Sequence, residues 1–270
     1  MGERLKGKTA IVVGAGQTPG ETIGNGRAMA MLFAREGAAV MCVDRVLARA
    51  EETAAMIAGE GGQASALEAD ITRPAEAQAI IDTGKDRLGR IDIVVNNVGV
   101  GGAQGGRDGP AHRADEVAFD RILEVNLRGM WLVTKAAIPV MREQGGGAIV
   151  NISSLASIAG GNQVAYEVSK AGVNRLTTSV AAANARHLIR CNAVLPGLMD
   201  TPMAIVGISQ ASGRTQEETR AMRNARVPLG AKMGTAWDTA HAALFLASDE
   251  AKFISGVLLP VDGGMSVQIG

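Results

Sequence analysis

The sequence contains one tyrosine, Tyr166, and a lysine, Lys170, follows it by four residues. Residues four apart lie on the same face of a helix, so the Lys170 ammonium can lie near the phenol. A free phenol has a pKa of about 10, too high for an efficient base at neutral pH, and a nearby cation lowers that pKa. The pair therefore has the chemistry of a general acid/base. On its own, it fits equally well a buried tyrosine beside an unrelated surface lysine.

A glycine-rich turn follows the first β-branched run, Thr9–Val13, and leads into an Ala-rich amphipathic stretch. The turn begins at Gly14, and Gly24 and Gly26 stand where the helix should start. Glycine at such a turn lets backbone N–H groups approach a pyrophosphate at the N-terminus of a helix. The chain has 35 glycines, so the pattern alone is weak evidence. Its position between a strand and a helix supports a dinucleotide-binding turn.

Asp44 ends the second β-branched run, 30 residues after Gly14. A carboxylate at this place can accept hydrogen bonds from the adenosine ribose hydroxyls and repels a 2′-phosphate, which favours NAD over NADP. The alternative is a solvated aspartate that caps the next helix. Arg45 is adjacent and could accommodate a 2′-phosphate, so an NADP-binding pocket stays open as an interpretation.

The elements that must position these residues are short β-branched runs alternating with longer amphipathic stretches. The near-continuous apolar runs predict strands buried on both faces of a parallel sheet. The alternation predicts a doubly wound α/β fold, with a seven-stranded, mostly parallel sheet flanked by helices in a single domain over residues 1–270. The expected strands are 9–13, 39–43, 64–68, 91–95, 148–152, 189–194 and 257–260, and the expected helices are 24–36, 47–59, 74–88, 115–143, 164–186 and 235–247.

Two irregular segments follow predicted strands, a glycine-rich loop at 98–109 and a polar, helix-compatible segment at 201–228. Ligands of doubly wound sheets bind beyond the carboxyl ends of the strands, so both segments should border the site. We interpret 201–228 as a substrate lid, and its apolar residues predict a partly apolar substrate. Its arginines (214, 220, 223 and 226) are expected on a solvated helix face, with an anion site as the alternative.

Composition narrows the class of protein. Lys plus Arg and Asp plus Glu are balanced at 27 each, which argues against nucleic acid or an acidic membrane surface as the main partner. No apolar run approaches the roughly 18 residues of a membrane span, and the first residues lack the usual signal-peptide pattern. The two cysteines lie in apolar runs and are expected to be buried thiols. We therefore expect a soluble, cytoplasmic protein.

Further motifs appear in a fixed order between these elements. They are the glycine turn, Asp44, Asp70, Asn96 to Gly99 (NNVG), Asn126, Ser153 and Ser154, Tyr166 with Lys170, Asn192 to Gly197 (NAVLPG), Thr201 and Asp262. This series resembles the classical short-chain dehydrogenase/reductase family over essentially the whole chain. The resemblance implies a Rossmann-type dehydrogenase that uses a nicotinamide dinucleotide, acts on a small alcohol or ketone, and forms a homotetramer.

The resemblance also implies residue roles. Tyr166 would be the general acid/base, and Lys170 would lower its pKa and bind the nicotinamide ribose. Ser154 would hold the substrate oxygen, and Asn126 would anchor a water that connects Lys170 to solvent. No metal is implied. The cofactor-binding residues would be Gly14, Gly24, Gly26, Asp44, Asp70 (on adenine), Asn97, Gly99, Tyr166, Lys170, Pro196, Gly197 and Thr201 (on the carboxamide).

The sequence departs from the family pattern at two places. Nine residues separate Gly14 from Gly24 where the family has three, so 17–23 contains an insertion of six residues. We expect a longer surface turn there, the alternatives being a cover over the pyrophosphate or phosphate contacts from Gly16 and Gly20. The family spacing to the tyrosine selects Ser153, whereas the N-x-S-S pattern selects Ser154, which we favour.

The function predicted from the sequence is NAD-dependent interconversion of a secondary alcohol, including cyclic ones, and its ketone. Within enzymes, the alternative is an NADPH-dependent ketone or 3-oxoacyl reductase. A non-enzymatic alternative is a dinucleotide sensor or scaffold. Such degenerate relatives usually lack the tyrosine or the lysine, and this chain has both.

Overall fold

The computed structural model describes residues 2–101, 105–160 and 162–268. Seven strands form one sheet, and all six pairings between neighbours are parallel. A separate pair of two-residue strands lies beside it. The strands are β1 (Thr9–Val13), β2 (Ala39–Asp44), β3 (Gln63–Glu68), β4 (Ile93–Asn96), β5 (Gly147–Ile152), β6 (Ile189–Pro196), β7 (Met199–Asp200), β8 (Gly234–Thr235) and β9 (Leu258–Val261).

Helices cover both faces of the sheet. They are α1 (Asn25–Arg35), α2 (Leu47–Gly59), α3 (Pro74–Leu88), α4 (Glu116–Leu123), α5 (Met130–Glu143), α6 (Val164–Asn184), α7 (Pro202–Ser212), α8 (Gln216–Asn224) and α9 (Ala236–Ala247). No helix in the described ranges is long and apolar enough to cross a membrane.

Strand β1 shows how the sequence produces the two layers. Its five residues are all buried, and successive side chains enter opposite apolar clusters. Ala10 and Val12 join the cluster that contains α1 and α9 residues, whereas Ile11 and Val13 join the cluster that contains α3 and α5 residues. A strand covered on both faces must be apolar at consecutive positions, which explains the continuous run.

The strand order β3-β2-β1-β4-β5-β6-β9 changes direction at β1. The chain winds outward from β1 through β2 to β3, and then returns to place β4 on the other side. Loops at the carboxyl ends of β1 and β4 therefore leave in opposite directions and open a crevice. The doubly wound fold predicted from the sequence is confirmed.

The predicted helix 115–143 differs from the structure, because a π-helical turn, Glu124–Gly129, separates α4 from α5. Buried Asn126 lies in this turn, and its side chain pairs with both backbone groups of Val100. Hydrophobic periodicity could not reveal the break, since the residues on either side keep a helical apolar pattern. π-Turns are common at functional sites, where they redirect one side chain.

Candidate active site

Tyr166 and Lys170 project from the first two turns of α6. The Lys170 Nζ lies 5.8 Å from the centre of the Tyr166 ring and donates to the Ile152 carbonyl at 2.9 Å. Lys170 is only 3% exposed, and its burial lowers the pKa of the ammonium to about 8. Burial also raises the pKa of the Tyr166 phenol. Burial thus favours the uncharged form of both side chains.

The two candidate serines point to different partners. Ser154 lies at the start of the loop that follows β5, and its side chain hydrogen-bonds the Tyr166 side chain, which opposes the effect of burial on the pKa of Tyr166. Ser153 is buried and donates instead to the Lys170 carbonyl at 3.1 Å. The geometry thus joins Ser154, and not Ser153, to the phenol.

Asn126 borders the same crevice from the π-helical turn. Its Oδ1 accepts from the Val100 N–H at 2.7 Å, and its Nδ2 donates to the Val100 carbonyl and to Ser169 Oγ. Gly99 packs beside Lys170, because a Cβ on Gly99 would lie 3.2 Å from Nζ. The turn and the loop after β4 together enclose the Lys170 ammonium.

The glycine turn has the shape of a dinucleotide-binding turn. Gly14 has a φ of +85°, which favours glycine, and its carbonyl accepts from Asn97 Nδ2 at 2.9 Å. Helix α1 begins at Asn25 with Gly24 as its N-cap. A Cβ on Gly26 would overlap the Gly14 carbonyl oxygen, so only glycine allows α1 to approach the end of β1 this closely.

Asp44 lies where the ribose of a dinucleotide is expected, at the carboxyl end of β2. Its two carboxylate oxygens accept from the N–H groups of Gly16, at 3.2 Å, and Val46, at 3.0 Å. These bonds hold the carboxylate facing the glycine turn and use only part of its acceptor capacity. Arg45 is exposed.

Two buried polar atoms near the turn have no hydrogen-bond partner among the described residues. They are Thr22 Oγ1 and Asn25 Oδ1. Buried polar atoms are rarely left unpaired, so this part of the crevice suits a polar ligand or ordered water. Together with the close-packed glycines and the Asp44 carboxylate, they show that the residues present fit a nicotinamide dinucleotide. The sequence motifs did not single out either side chain.

The remaining predicted cofactor residues border the crevice from neighbouring strands. Asp70 follows β3, and although burial opposes it, hydrogen bonds from the Thr72 N–H and hydroxyl lower the pKa of its carboxyl. Pro196 ends β6. Gly197 packs against Asp262, and buried Thr201 stands at the start of α7.

The inserted residues 17–23 contact the lid. Arg220 of α8 bridges Glu21 of the insertion, at 3.0 Å, and Asp200 of β7, at 3.2 Å. Gly20 packs against Pro202 at the start of α7, since a Cβ there would lie 2.8 Å from the proline Cβ. The insertion thus bridges the cofactor turn and the lid, which is more than the surface turn expected from the sequence.

The segment predicted to be a lid, residues 201–228, comprises α7 and α8, and its arginines are not all solvated. Arg214 and Arg226 are exposed as expected, but Arg220 is held in the ion pairs above and Arg223 is only 8% exposed. Arg223 packs beside Met233, and burial lowers the pKa of its guanidinium. The solvated face predicted for this helix is therefore wrong for two of the four arginines.

Comparison with known proteins assigns the family. Residues 21–266 match the protein family described as enoyl-(acyl carrier protein) reductase. The chain is 36% identical to 2-(S)-hydroxypropyl-CoM dehydrogenase 3 of Xanthobacter autotrophicus, over 98% of this chain and 99% of that protein.

Two solved structures extend the comparison. A Burkholderia xenovorans protein described as a short-chain dehydrogenase/reductase is 42% identical with a TM-score of 0.92, covering 99% of this chain and 100% of the other. Carveol dehydrogenase from Mycobacterium avium, solved in complex with NAD, is 29% identical with a TM-score of 0.89, covering 98% of this chain and 100% of the other.

Proposed function

Because the chain belongs to the short-chain dehydrogenase/reductase family of oxidoreductases, we propose that it interconverts a secondary alcohol, including cyclic ones, and its ketone with NAD. The observation that carries this proposal is the contact of the Ser154 side chain with the Tyr166 phenol, beside the buried Lys170 ammonium. A dinucleotide sensor or scaffold would need none of these three groups in contact.

Bound NAD would supply the hydride chemistry, and the side chains would handle the proton and the charge on oxygen. Ser154 donates a hydrogen bond to the substrate oxygen, and Tyr166 accepts the alcohol proton in oxidation or returns it to the ketone in reduction. Lys170 would stabilise the phenolate that accepts this proton in oxidation and that is left after reduction, which counters the effect of burial on the pKa of Tyr166. Asn126 holds the π-helical turn and the loop beside the Lys170 ammonium.

We assign NAD rather than NADP on the basis of Asp44. The remaining acceptor capacity of its carboxylate suits two ribose hydroxyls, and its charge opposes a 2′-phosphate. Gly14, Gly24 and Gly26 would flank the pyrophosphate, with Asp70, Asn97, Gly99, Pro196, Gly197 and Thr201 along the rest of the cofactor.

Asp44→Ala should weaken NAD binding about tenfold or more and tighten NADP binding, because it removes charged hydrogen bonds to the ribose and the repulsion of a 2′-phosphate. Calorimetric titration of the purified protein with each cofactor measures both constants. Glu68→Ala is the matched control, since Glu68 ends the neighbouring strand β3 in register with Asp44. An unchanged preference in the Asp44 variant would refute the ribose assignment. Tighter NADP binding by the unaltered protein would instead favour ketone reduction, with Arg45 accommodating the phosphate.

The lid, residues 201–228, would cover the substrate. Its buried Ile205 and Val227 pack with Met233 next to Leu198 and Met265. This apolar cluster supports a substrate with an apolar body. Because Arg220 is already paired, an anionic substrate group is not required to explain that arginine.

We also propose a homotetramer, located in the cytoplasm, where its buried thiols would stay reduced. An apolar groove lies on the outer face of α4 and α5, where Val117 and Trp131 are 76% and 42% exposed. Exposed contiguous apolar surface of this kind is typical of protein interfaces. This face supports association with further copies of the chain.

The mass in solution by sedimentation should be four times that of the chain, and Trp131→Glu should reduce it by placing a charge in the apolar interface. Met56→Glu, at a comparably exposed methionine on α2, should leave the mass unchanged. A monomeric mass for the unaltered protein would contradict the proposal.

A further inference from the structure

The N-terminus of α6 is capped by a distant segment of the chain. A helix leaves its first N–H groups without partners inside the helix, and Gln163, at the N-cap position, provides no side-chain hydrogen bond. Tyr166 is the third residue of this helix, so its own N–H is one of those groups. What holds this first turn in place therefore also determines where the phenol lies.

The partners come from residues 108 and 109, in the glycine-rich loop after β4. One carboxylate oxygen of Asp108 accepts from the Ala165 N–H at 3.1 Å, and the other accepts from the Tyr166 N–H at 3.0 Å. The Gly109 carbonyl accepts from the Val164 N–H at 3.0 Å. Three successive N–H groups are thus satisfied from a segment more than 50 residues earlier in the sequence.

The same loop contacts the Tyr166 ring. A Cβ on Gly101 would lie 2.9 Å from Tyr166 Cδ2, so the Gly101 backbone packs directly against the ring. Residues 102–104, in the middle of the loop predicted at 98–109, lie outside the described part of the chain. The two described ends of the 98–109 loop therefore contact Tyr166 separately, one at the ring and one at the backbone.

We propose that Asp108 is a positioning residue for Tyr166, whose carboxylate fixes the first turn of α6 so that the phenol stays in contact with Ser154. The proposal rests on the role given to Tyr166 in the proposed function. Asp108 contacts the Tyr166 main chain and is not itself a group that moves a proton.

The chemistry of the contact explains why an aspartate stands there. Its two oxygens serve two neighbouring N–H groups at once, and its negative charge suits the positive end of the helix dipole. Asparagine keeps one acceptor oxygen and loses the charge, whereas alanine keeps neither. The three side chains therefore form a graded series for the same position.

Asp108→Ala should lower kcat about ten- to fiftyfold and Asp108→Asn about three- to tenfold, because small displacements of a catalytic group cost large factors in rate. The calorimetric Kd for NAD should stay within about twofold, since Asp108 contacts no predicted cofactor residue other than through the Tyr166 main chain. Asp115→Ala is the control, because Asp115 also caps a helix, α4, where it is the N-cap residue and accepts from the Val117 N–H at 3.0 Å. It should lose similar thermal stability but keep kcat within about twofold.

A second measurement is independent of turnover. Tyr166 is the only tyrosine, so the rise in phenolate absorbance with pH titrates this residue alone. In Asp108→Ala the midpoint should fall, because a looser first turn lets water reach the phenol and the carboxylate is gone, and relief of burial, the largest influence on the pKa of Tyr166, outweighs loss of the Ser154 hydrogen bond that lowers it. Asp115→Ala should leave the midpoint unchanged.

The proposal is overturned if the Asp108 variants keep kcat within about twofold, if Asp115→Ala lowers kcat as much, or if the phenolate midpoint does not move. Asp108→Asn, which retains one acceptor, provides the test if the alanine variant does not fold. Absence of turnover by the unaltered protein on a broad panel of secondary alcohols and ketones would instead count against the proposed function, and the phenolate titration would still test the positioning role.

Discussion

Tyr166→Phe should lower kcat for alcohol oxidation by about three to four orders of magnitude while leaving the Kd for NAD within about threefold. The substitution removes one hydroxyl and keeps the ring that packs against Gly101. It therefore deletes the proton acceptor without opening a cavity. Initial rates of NADH formation across secondary alcohols, together with calorimetric NAD binding, measure the two quantities separately.

Ser153→Ala is a suitable control for this experiment. The Ser153 hydroxyl is buried next to the catalytic residues but donates to the Lys170 carbonyl, away from the phenol. It should keep kcat within about tenfold of the unaltered protein. Substantial activity in Tyr166→Phe would mean that another group transfers the proton, and an equal loss in Ser153→Ala would mean that the effect is not specific to the phenol.

Lys170→Met should nearly abolish turnover and yet make the protein more stable at neutral pH. Burial lowers the pKa of Lys170 from its ordinary value of 10.5 to about 8, so below pH 8 the folded protein holds a buried cation at a cost of about 3 kcal/mol. Loss of the hydrogen bond to the Ile152 carbonyl offsets about 1 kcal/mol of this. We expect a net gain of about 2 kcal/mol in the free energy of unfolding at pH 7.

The stability difference between Lys170→Met and the unaltered protein should depend on pH. Between the folded pKa and the ordinary value, the unfolded chain binds more protons than the folded one, so the stability of the unaltered protein rises with pH in that window. The advantage of Lys170→Met should therefore shrink between pH 7 and pH 10, as measured by urea unfolding at both values. Lys252→Met, at an exposed lysine, should show no such trend. Equal or lower stability of Lys170→Met at pH 7 would contradict the argument.

The parts of this structure that depend on neighbouring residues could be predicted from the sequence. Strand β1 has the predicted limits because its residues 10–13 are continuously apolar, and α1 begins between Gly24 and Gly26, of which Gly26 leaves no room for a Cβ beside the Gly14 carbonyl. The tyrosine and lysine share a helix face through their spacing alone. Each of these features depends on residues close together in the sequence or on the regular spacing of side chains along a strand or helix.

Features that depend on contacts between residues far apart in the sequence could not be predicted from it. In the π-helical turn Asn126 pairs with Val100, 26 residues away, and nothing in the local apolar pattern marks the turn. The choice between Ser153 and Ser154 was open in the sequence, and it is the path of the β5 loop that turns one hydroxyl to the phenol and the other to a carbonyl. The contact of Asp108 with α6 and the ion pairs of Arg220 are likewise tertiary.

The insertion at 17–23 has a consequence for how this chain can change in evolution. The two ends of the insertion are held in place. The Gly14 N–H donates to the Val43 carbonyl of β2, and the Gly24 N–H donates to Gln17 Oε1. A surface loop with fixed ends tolerates changes in length at little entropic cost. Because Glu21 pairs with a lid residue, however, each change of length there also alters the partner available to Arg220. A change in the length of the cofactor turn of this chain is thus coupled to the contacts of the lid through this ion pair.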